Sequence, residues 1–133
     1  MIAVDTSALL ALLFEEPEHT LFSDVLFSQP KALISSVTVV EARMVVQARR
    51  NDRVLQLTND LLGLPVFEIV PPGPAEVEAA IRAFSTFGKG MGHPAQLNLG
   101  DVFSYALAKV HGVPLLYKGN DFSRTDIVAV IAG

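Results

Sequence analysis

Met1-Ile2-Ala3-Val4-Asp5-Thr6-Ser7-Ala8-Leu9-Leu10-Ala11-Leu12-Leu13-Phe14 opens the chain, and its reading decides the fold class. Ile2-Ala3-Val4 is a short, wholly apolar run that suits a buried strand. It ends on Asp5-Thr6-Ser7, a turn and a helix N-cap signal at once. Ala8 to Phe14 is then apolar at every position, which is the signature of a short helix covered on all sides. The same beat recurs downstream. Ala32-Leu33-Ile34 closes on Ser35-Ser36 before a helix from Val37 to about Arg50, and Val66 to Val70 is punctuated by Pro71-Pro72-Gly73-Pro74.

The remaining segments fill in around these strands. Pro17 starts a helix with the stripe Leu21, Phe22, Val25 and Leu26. Asp52 to Leu62 is helical and stops at Gly63 and Pro65. Val77, Ala80, Ile81 and Phe84 stripe the next helix, Ser85 to Asn98 is irregular, and Leu99 to His111 is helical. Val113 to Tyr117 and Ile127 to Ile131 read as the last two strands. Short apolar strands separated by helices predict one domain over residues 1–133. Its fold class is α/β: three layers, α/β/α, around a central, mostly parallel sheet of four to five short strands.

Composition sets the outer bounds. Of 133 residues, 50 % are hydrophobic and only 18 % charged, against about 25 % charged in typical domains, so the chain is not a disordered one. The longest apolar run, Ala8 to Phe14, falls far short of the roughly 20 residues of a transmembrane helix, which predicts no membrane association. Cysteine is absent, which excludes disulfides and thiolate chemistry and suits a reducing compartment. With an acid already at Asp5 and no basic start, the expected location is cytoplasmic. The apolar excess predicts a homodimer. Its expected face lies on the first two helices, Ala8 to Phe14 and Leu21 to Phe27, with an apolar groove left for an amphipathic partner helix.

In open parallel sheets, ligands bind beyond the carboxyl ends of the strands. Asp5 follows the first strand directly, and Asp121 comes four residues after Tyr117. Glu41 shares a helical face with Val37, Met44 and Ala48, an inward stripe on this reading, and has no Lys or Arg one turn away. Asp101 opens a helix that is apolar almost all round. Taken singly, each Asp has a structural use, as a cap, a dipole partner or a turn residue. Taken together, four carboxylates in one cleft repel each other, and a hard divalent cation is what makes them tolerable. In metal-free protein, burial and the other acids should raise the pKa of Glu41. Oxygen ligands select Mg²⁺ or Mn²⁺ over Zn²⁺, and the chemistry that fits is cation-assisted hydrolysis of a nucleic acid.

Four motifs in order carry a resemblance. They are Asp5-Thr6-Ser7 after the opening strand, Ser35-Ser36-Val37-Thr38-Val39-Val40-Glu41, Asn98-Leu99-Gly100-Asp101 running to Tyr105, and Lys118-Gly119-Asn120-Asp121-Phe122. The chain resembles the PIN-domain ribonucleases, and in particular the VapC-type toxins of toxin–antitoxin pairs, over essentially its whole length. The resemblance implies an endoribonuclease inhibited by a cognate antitoxin protein. It also implies a catalytic quartet of Asp5, Glu41, Asp101 and Asp121, with Asp5 and Asp101 as direct metal ligands. Thr6 or Ser7 would position Asp5 or a water, and Asn120 would assist. Asp126 either supports the site or serves the last strand.

RNA binding by an acidic protein calls for a local basic rim. The candidates are Lys118, closest in sequence to Asp121, with Lys89, His93 and Arg43, while Arg49, Arg50 and Arg53 extend the list. Two aromatic residue types are scarce, with no Trp and 2 Tyr, which argues against extensive base stacking. Rival readings fare less well. A haloacid-dehalogenase-like phosphotransferase wants a second Asp two residues after the first, where Ser7 stands. A receiver-type domain wants paired early acids and leaves Glu41 idle. A non-catalytic module predicts no dependence on Mg²⁺ or Mn²⁺.

Overall fold

A computed structural model describes residues 1–131. Four parallel strands, β1 (Ile2–Val4), β2 (Ala32–Ser35), β3 (Phe67–Val70) and β4 (Leu115–Leu116), lie side by side in the order β3-β2-β1-β4. Six helices connect and cover them: α1 (Thr6–Leu13), α2 (His19–Phe27), α3 (Ser36–Ala48), α4 (Asp52–Leu62), α5 (Pro74–Phe87) and α6 (Leu99–His111). A 3₁₀ turn at Phe122–Arg124 follows β4.

The strand pleat sorts the core into two layers. Ile2, Val4, Ala32, Ile34, Phe67 and Leu116 pack into the apolar cluster of α1 to α4. Ala3, Leu33 and Leu115 point the other way, into the cluster of α5 and α6. The result is the three-layer α/β/α arrangement that the alternation of strands and helices predicts.

Strand order fixes where a ligand can sit. The chain winds outward from β1 through β2 to β3, then returns to the far side of β1 to place β4. The connections leaving β1 and β4 therefore diverge, and a crevice opens at that switch point beyond their carboxyl ends. Asp5 stands on one lip of it. Lys118 to Asp121 stand on the other.

Several boundaries move. The final strand over Ile127 to Ile131 shrinks to one bridge, Ala129 beside Leu115, held by Leu115 N–H to Val128 O at 2.8 Å and Val130 N–H to Leu115 O at 3.1 Å. β4 is two residues long, because Pro114 has no N–H for the ladder and Tyr117 already turns to pack on Phe122. α2 starts at His19 instead of Pro17. α5 continues to Phe87, so the irregular segment begins at Gly88, and Lys89 N–H to Leu97 O at 2.8 Å closes its neck.

The expected interface on α1 is also corrected. Ala8, Leu9 and Ala11 are fully buried, because α2, α3 and α4 all pack against this helix. Leu10, Leu12 and Phe14 stay half-buried, and on α2 only Leu21 and Phe27 are exposed among the large apolar side chains. Among the described residues, no helix is long and apolar enough to cross a membrane.

Candidate active site

Each acid of the quartet reaches the crevice from a different element. Asp5 is the N-cap of α1, with extended backbone at the end of β1, and is 3 % exposed. One of its oxygens is fully used: Oδ2 accepts from Ser7 N–H at 3.0 Å and from Ser7 Oγ at 2.7 Å. Lys118 N–H, at the end of β4, in turn donates to Ser7 Oγ at 2.9 Å. The switch point is thus stitched together through Ser7, which fixes the rotamer of Asp5. The other oxygen, Oδ1, is buried and has no hydrogen-bond partner.

Asp101 is built by the same device. It is the third residue of α6 and closes a capping box in which Asn98 N–H donates to its Oδ2 and Asp101 N–H donates to Asn98 Oδ1, both at 3.0 Å. Capping accounts for one oxygen and leaves Oδ1 without a protein donor among the described residues. The structural use and the functional candidacy of these two aspartates are compatible, since each engages a different oxygen.

Glu41 is held differently. Its Oε1 accepts a short hydrogen bond from Thr6 Oγ1, and its carboxylate lies flat against the backbone of Gly100. A Cβ built at Gly100 would stand 2.2 Å from Glu41 Oε2. The bare backbone of Gly100 is what lets α3 and α6 bring Glu41 and Asp101 together. The buried face of α3 is Thr38, Ala42 and Val46, so the stripe through Val37, Glu41, Met44 and Ala48 is not the inward one. That stripe is rotated toward the crevice mouth, leaving Glu41 half-buried and Met44 exposed.

Asp5, Thr6, Ser7, Glu41, Asp101, Lys118 and Asp121 line a single cavity of about 260 Å³. Its electrostatics follow from that crowding. Burial pushes the Asp101 carboxyl up to about 7, helped by the charges of Asp5, Asp121 and Glu41 and opposed by the Asn98 N–H. Glu41 itself is only half-buried, less than its helical stripe suggests.

Other expected site residues lie elsewhere. Asn120 is exposed and does not line the cavity. Asp126 accepts from the Tyr105 hydroxyl and pairs with Lys109 Nζ at 2.9 Å, and does not line this cavity. Lys118 lines the cavity, but Glu16 and Glu18 hold its ammonium at 2.9 and 3.0 Å and raise its pKa. It is therefore not a free cation for RNA. Arg43 is exposed on α3, roughly 200° around the helix from Glu41. Lys89 is exposed in the loop after α5, His93 packs edge-on against Phe87, and Arg49 stacks over Phe14 at 4.2 Å. Sequence reasoning missed the fixed pairing of Thr6 with Glu41, the Gly100 contact and the Glu16/Glu18 clamp.

The donor set suits a hard divalent cation. It is all carboxylate oxygen, it carries an orphaned buried oxygen on Asp5, and among the described residues no cationic side chain pairs with it. Among the described residues no three of these groups are close enough to form a finished cation cage.

Comparison with known proteins gives the family context. A family model described as PIN domain matches residues 2–128. Ribonuclease VapC30 of Mycobacterium tuberculosis is 38 % identical over 129 residues, covering 97 % of this chain and 98 % of that protein. Ribonuclease VapC42 of the same species is 37 % identical over 124 residues, covering 93 % and 95 %. Among solved structures, M. tuberculosis VapC20, titled a sarcin-ricin loop cleaving toxin, aligns with a TM-score of 0.78 at 20 % identity, covering 98 % of both chains. A toxin–antitoxin complex from Klebsiella pneumoniae aligns at 0.73, also with 20 % identity, covering 98 % of this chain and 97 % of that one. At these identities the structural matches speak for the fold.

Proposed function

The chain belongs to the PIN domain family, and from that premise we propose that it is an endoribonuclease acting as the toxin of a toxin–antitoxin pair. It hydrolyses RNA phosphodiesters in the cytoplasm with a divalent cation, Mg²⁺ or Mn²⁺, held by Asp5 and Asp101. The observation that carries this reading is the gathering of four carboxylates in one cavity, with Asp5 Oδ1 buried and unpartnered. The names of the 36–38 % identical relatives, all VapC ribonucleases, support the reaction class.

The chain's own residues divide the work. Ser7 and the Asn98 capping box each pin one oxygen of Asp5 and Asp101, so the free oxygens face the cavity with little rotational freedom left to lose. When bound, a divalent cation supplies charge stabilisation at the scissile phosphate and acidifies water. Glu41, fixed by Thr6 and Gly100, sets the negative wall of the cavity. Asp121, exposed at the mouth, orients the attacking water and takes up its proton, and solvent protonates the leaving nucleotide's oxygen as its bond to phosphorus breaks. Incubation of the protein with RNA in Mg²⁺, Mn²⁺ or EDTA tests this. Cleavage that appears with either cation and stops with EDTA supports the reading, and no cleavage of any RNA with either cation overturns it.

Two partners complete it. A second copy of the chain covers a face formed by α5, α6 and α3, where Val77, Ile81, Phe84, Leu99, Val40 and Met44 are all at least 40 % exposed. Most of these line or flank a groove of about 340 Å³ whose floor is Val102 and Phe103. Exposed apolar surface this continuous marks an interface, and a two-fold pairing covers it on both copies. The antitoxin then supplies an Arg or Lys that enters the carboxylate cavity and neutralises it.

A further inference from the structure

On the outer side of α6 a second cavity, of about 370 Å³, lies between that helix and α5. The quartet does not use it. Its floor is Ala79 and Ala83, small residues one turn apart on α5, and its wall is the tilted aromatic pair Phe87 and Tyr105, with centroids 5.8 Å apart. The rim carries both signs of charge. Arg82 has no carboxylate within salt-bridge distance among the described residues, while Asp126 and Lys109 face each other at 2.9 Å.

This lining discriminates among ligands. A bare phosphate would pair with Arg82 but leave the aromatic wall unused. An apolar partner would bury Arg82 unpaired, at a cost of several kcal/mol. A nucleobase fits better than either: its flat π-face can lie on the half-buried Phe87 ring of the wall, and its edge can offer acceptors to Arg82, while Tyr105 and Lys109 already hold Asp126. The volume falls in the range of small-ligand pockets. Position points the same way, since Asp101 and Tyr105 are four residues apart on α6 and share one face, about one turn from the proposed cutting site.

We propose that this cavity receives one unstacked base of the substrate RNA, beside the phosphodiester to be cut. The inference rests on the ribonuclease reading and deepens it: the substrate presents an extruded base in a loop or single strand. Two aromatic rings suffice for one base, in keeping with the small number of aromatics in the chain.

The test uses an uncleaving Asp101→Asn protein and an eight-nucleotide single-stranded RNA, with binding read by fluorescence anisotropy. A set of such RNAs carries one abasic site at each position in turn. In the Arg82-intact protein, one abasic position should weaken binding at least about fivefold, the scale of one lost stacking contact. Adding Arg82→Ala should weaken the intact RNA by a similar factor yet leave that abasic RNA unaffected, and Arg82→Lys should restore part of the loss. Equal weakening of every RNA by Arg82→Ala would mean that Arg82 touches only the backbone, and that overturns the proposal. So does full affinity of Arg82→Ala for the intact RNA. Cleavage by the unmutated protein is scored separately, so a failed base pocket and a failed ribonuclease reading remain distinguishable.

Discussion

Asp101 is a carboxyl 8 % exposed, with Asp5, Glu41 and Asp121 as charged neighbours, and it is pushed up to about 7. Its value in the unfolded chain is about 3.9. Between these values the folded protein binds more protons at Asp101 than the unfolded one, so this group's contribution to stability is fully present below about pH 4 and is lost as pH rises through 7. In metal-free protein the loss from this group is on the order of a few kcal/mol. Asp101→Asn should abolish cleavage, remove most of that slope and stabilise the metal-free fold at pH 7.5, as read by chemical denaturation across pH. Wild-type stability that is flat from pH 4.5 to 7.5 would contradict the burial of the cluster. Asp5→Asn should likewise abolish cleavage while leaving circular dichroism unchanged, because Ser7 can still donate to the amide oxygen.

These two aspartates were legible in the sequence because their signals are local: one follows an apolar strand, the other opens an apolar helix. Glu41 and Asp121 were legible as candidates, from a helix face and from a turn after the last strand, but the contacts that hold the site together were not, since they join distant residues. Thr6 bonds Glu41 across 35 positions, and Lys118 reaches Glu16 across 102. No spacing rule announces either.

At the scale of elements, the junction of α3 and α6 governs the geometry. Gly100→Ala should be neutral or favourable for α6, since Ala in a helix is better than Gly by about 0.5–1 kcal/mol. The new methyl, however, occupies the place of the Glu41 carboxylate. Displacement of a catalytic group by about 1 Å costs on the order of 100-fold in rate. Gly100→Ala should therefore lose about that much activity with no loss of thermal stability, a separation that steady-state cleavage and a melting curve will show together. Equal activity would mean that Glu41 needs no fixed position. The layers and strand order follow from apolar runs that sequence shows plainly. Helix faces are less secure, as α3 shows: Val37, Glu41, Met44 and Ala48 satisfy a helical period, but Thr38, Ala42 and Val46 satisfy it equally. Polar Thr38 wins the interior because Ser104 Oγ lies 3.4 Å from its hydroxyl.

Across the whole molecule, the net charge of −4 and the apolar excess each have a location. The acids of the quartet concentrate charge in one cavity, and the excess apolar surface lies on α5, α6 and α3 beside it, with α1 buried. Ile81→Glu and Phe84→Glu should convert the dimer to a monomer of 14.3 kDa in light scattering, whereas Leu21→Glu on α2 should leave it a dimer. A monomeric wild-type protein at micromolar concentration would contradict the assignment of that face. The apolar excess was visible in composition, but composition cannot say which helix the fold will bury, and the first one turns out to bury Ala8, Leu9 and Ala11 within the domain.

The central claim is that the carboxylate cavity binds a divalent cation through Asp5 and Asp101. Titration of the protein with Mn²⁺, following the loss of the free-ion electron paramagnetic resonance signal, measures it without any RNA present. The wild-type chain should bind Mn²⁺ saturably, and Asp5→Asn or Asp101→Asn should weaken binding at least about tenfold, the equivalent of about 1.4 kcal/mol. Unchanged Mn²⁺ affinity in both variants would contradict it.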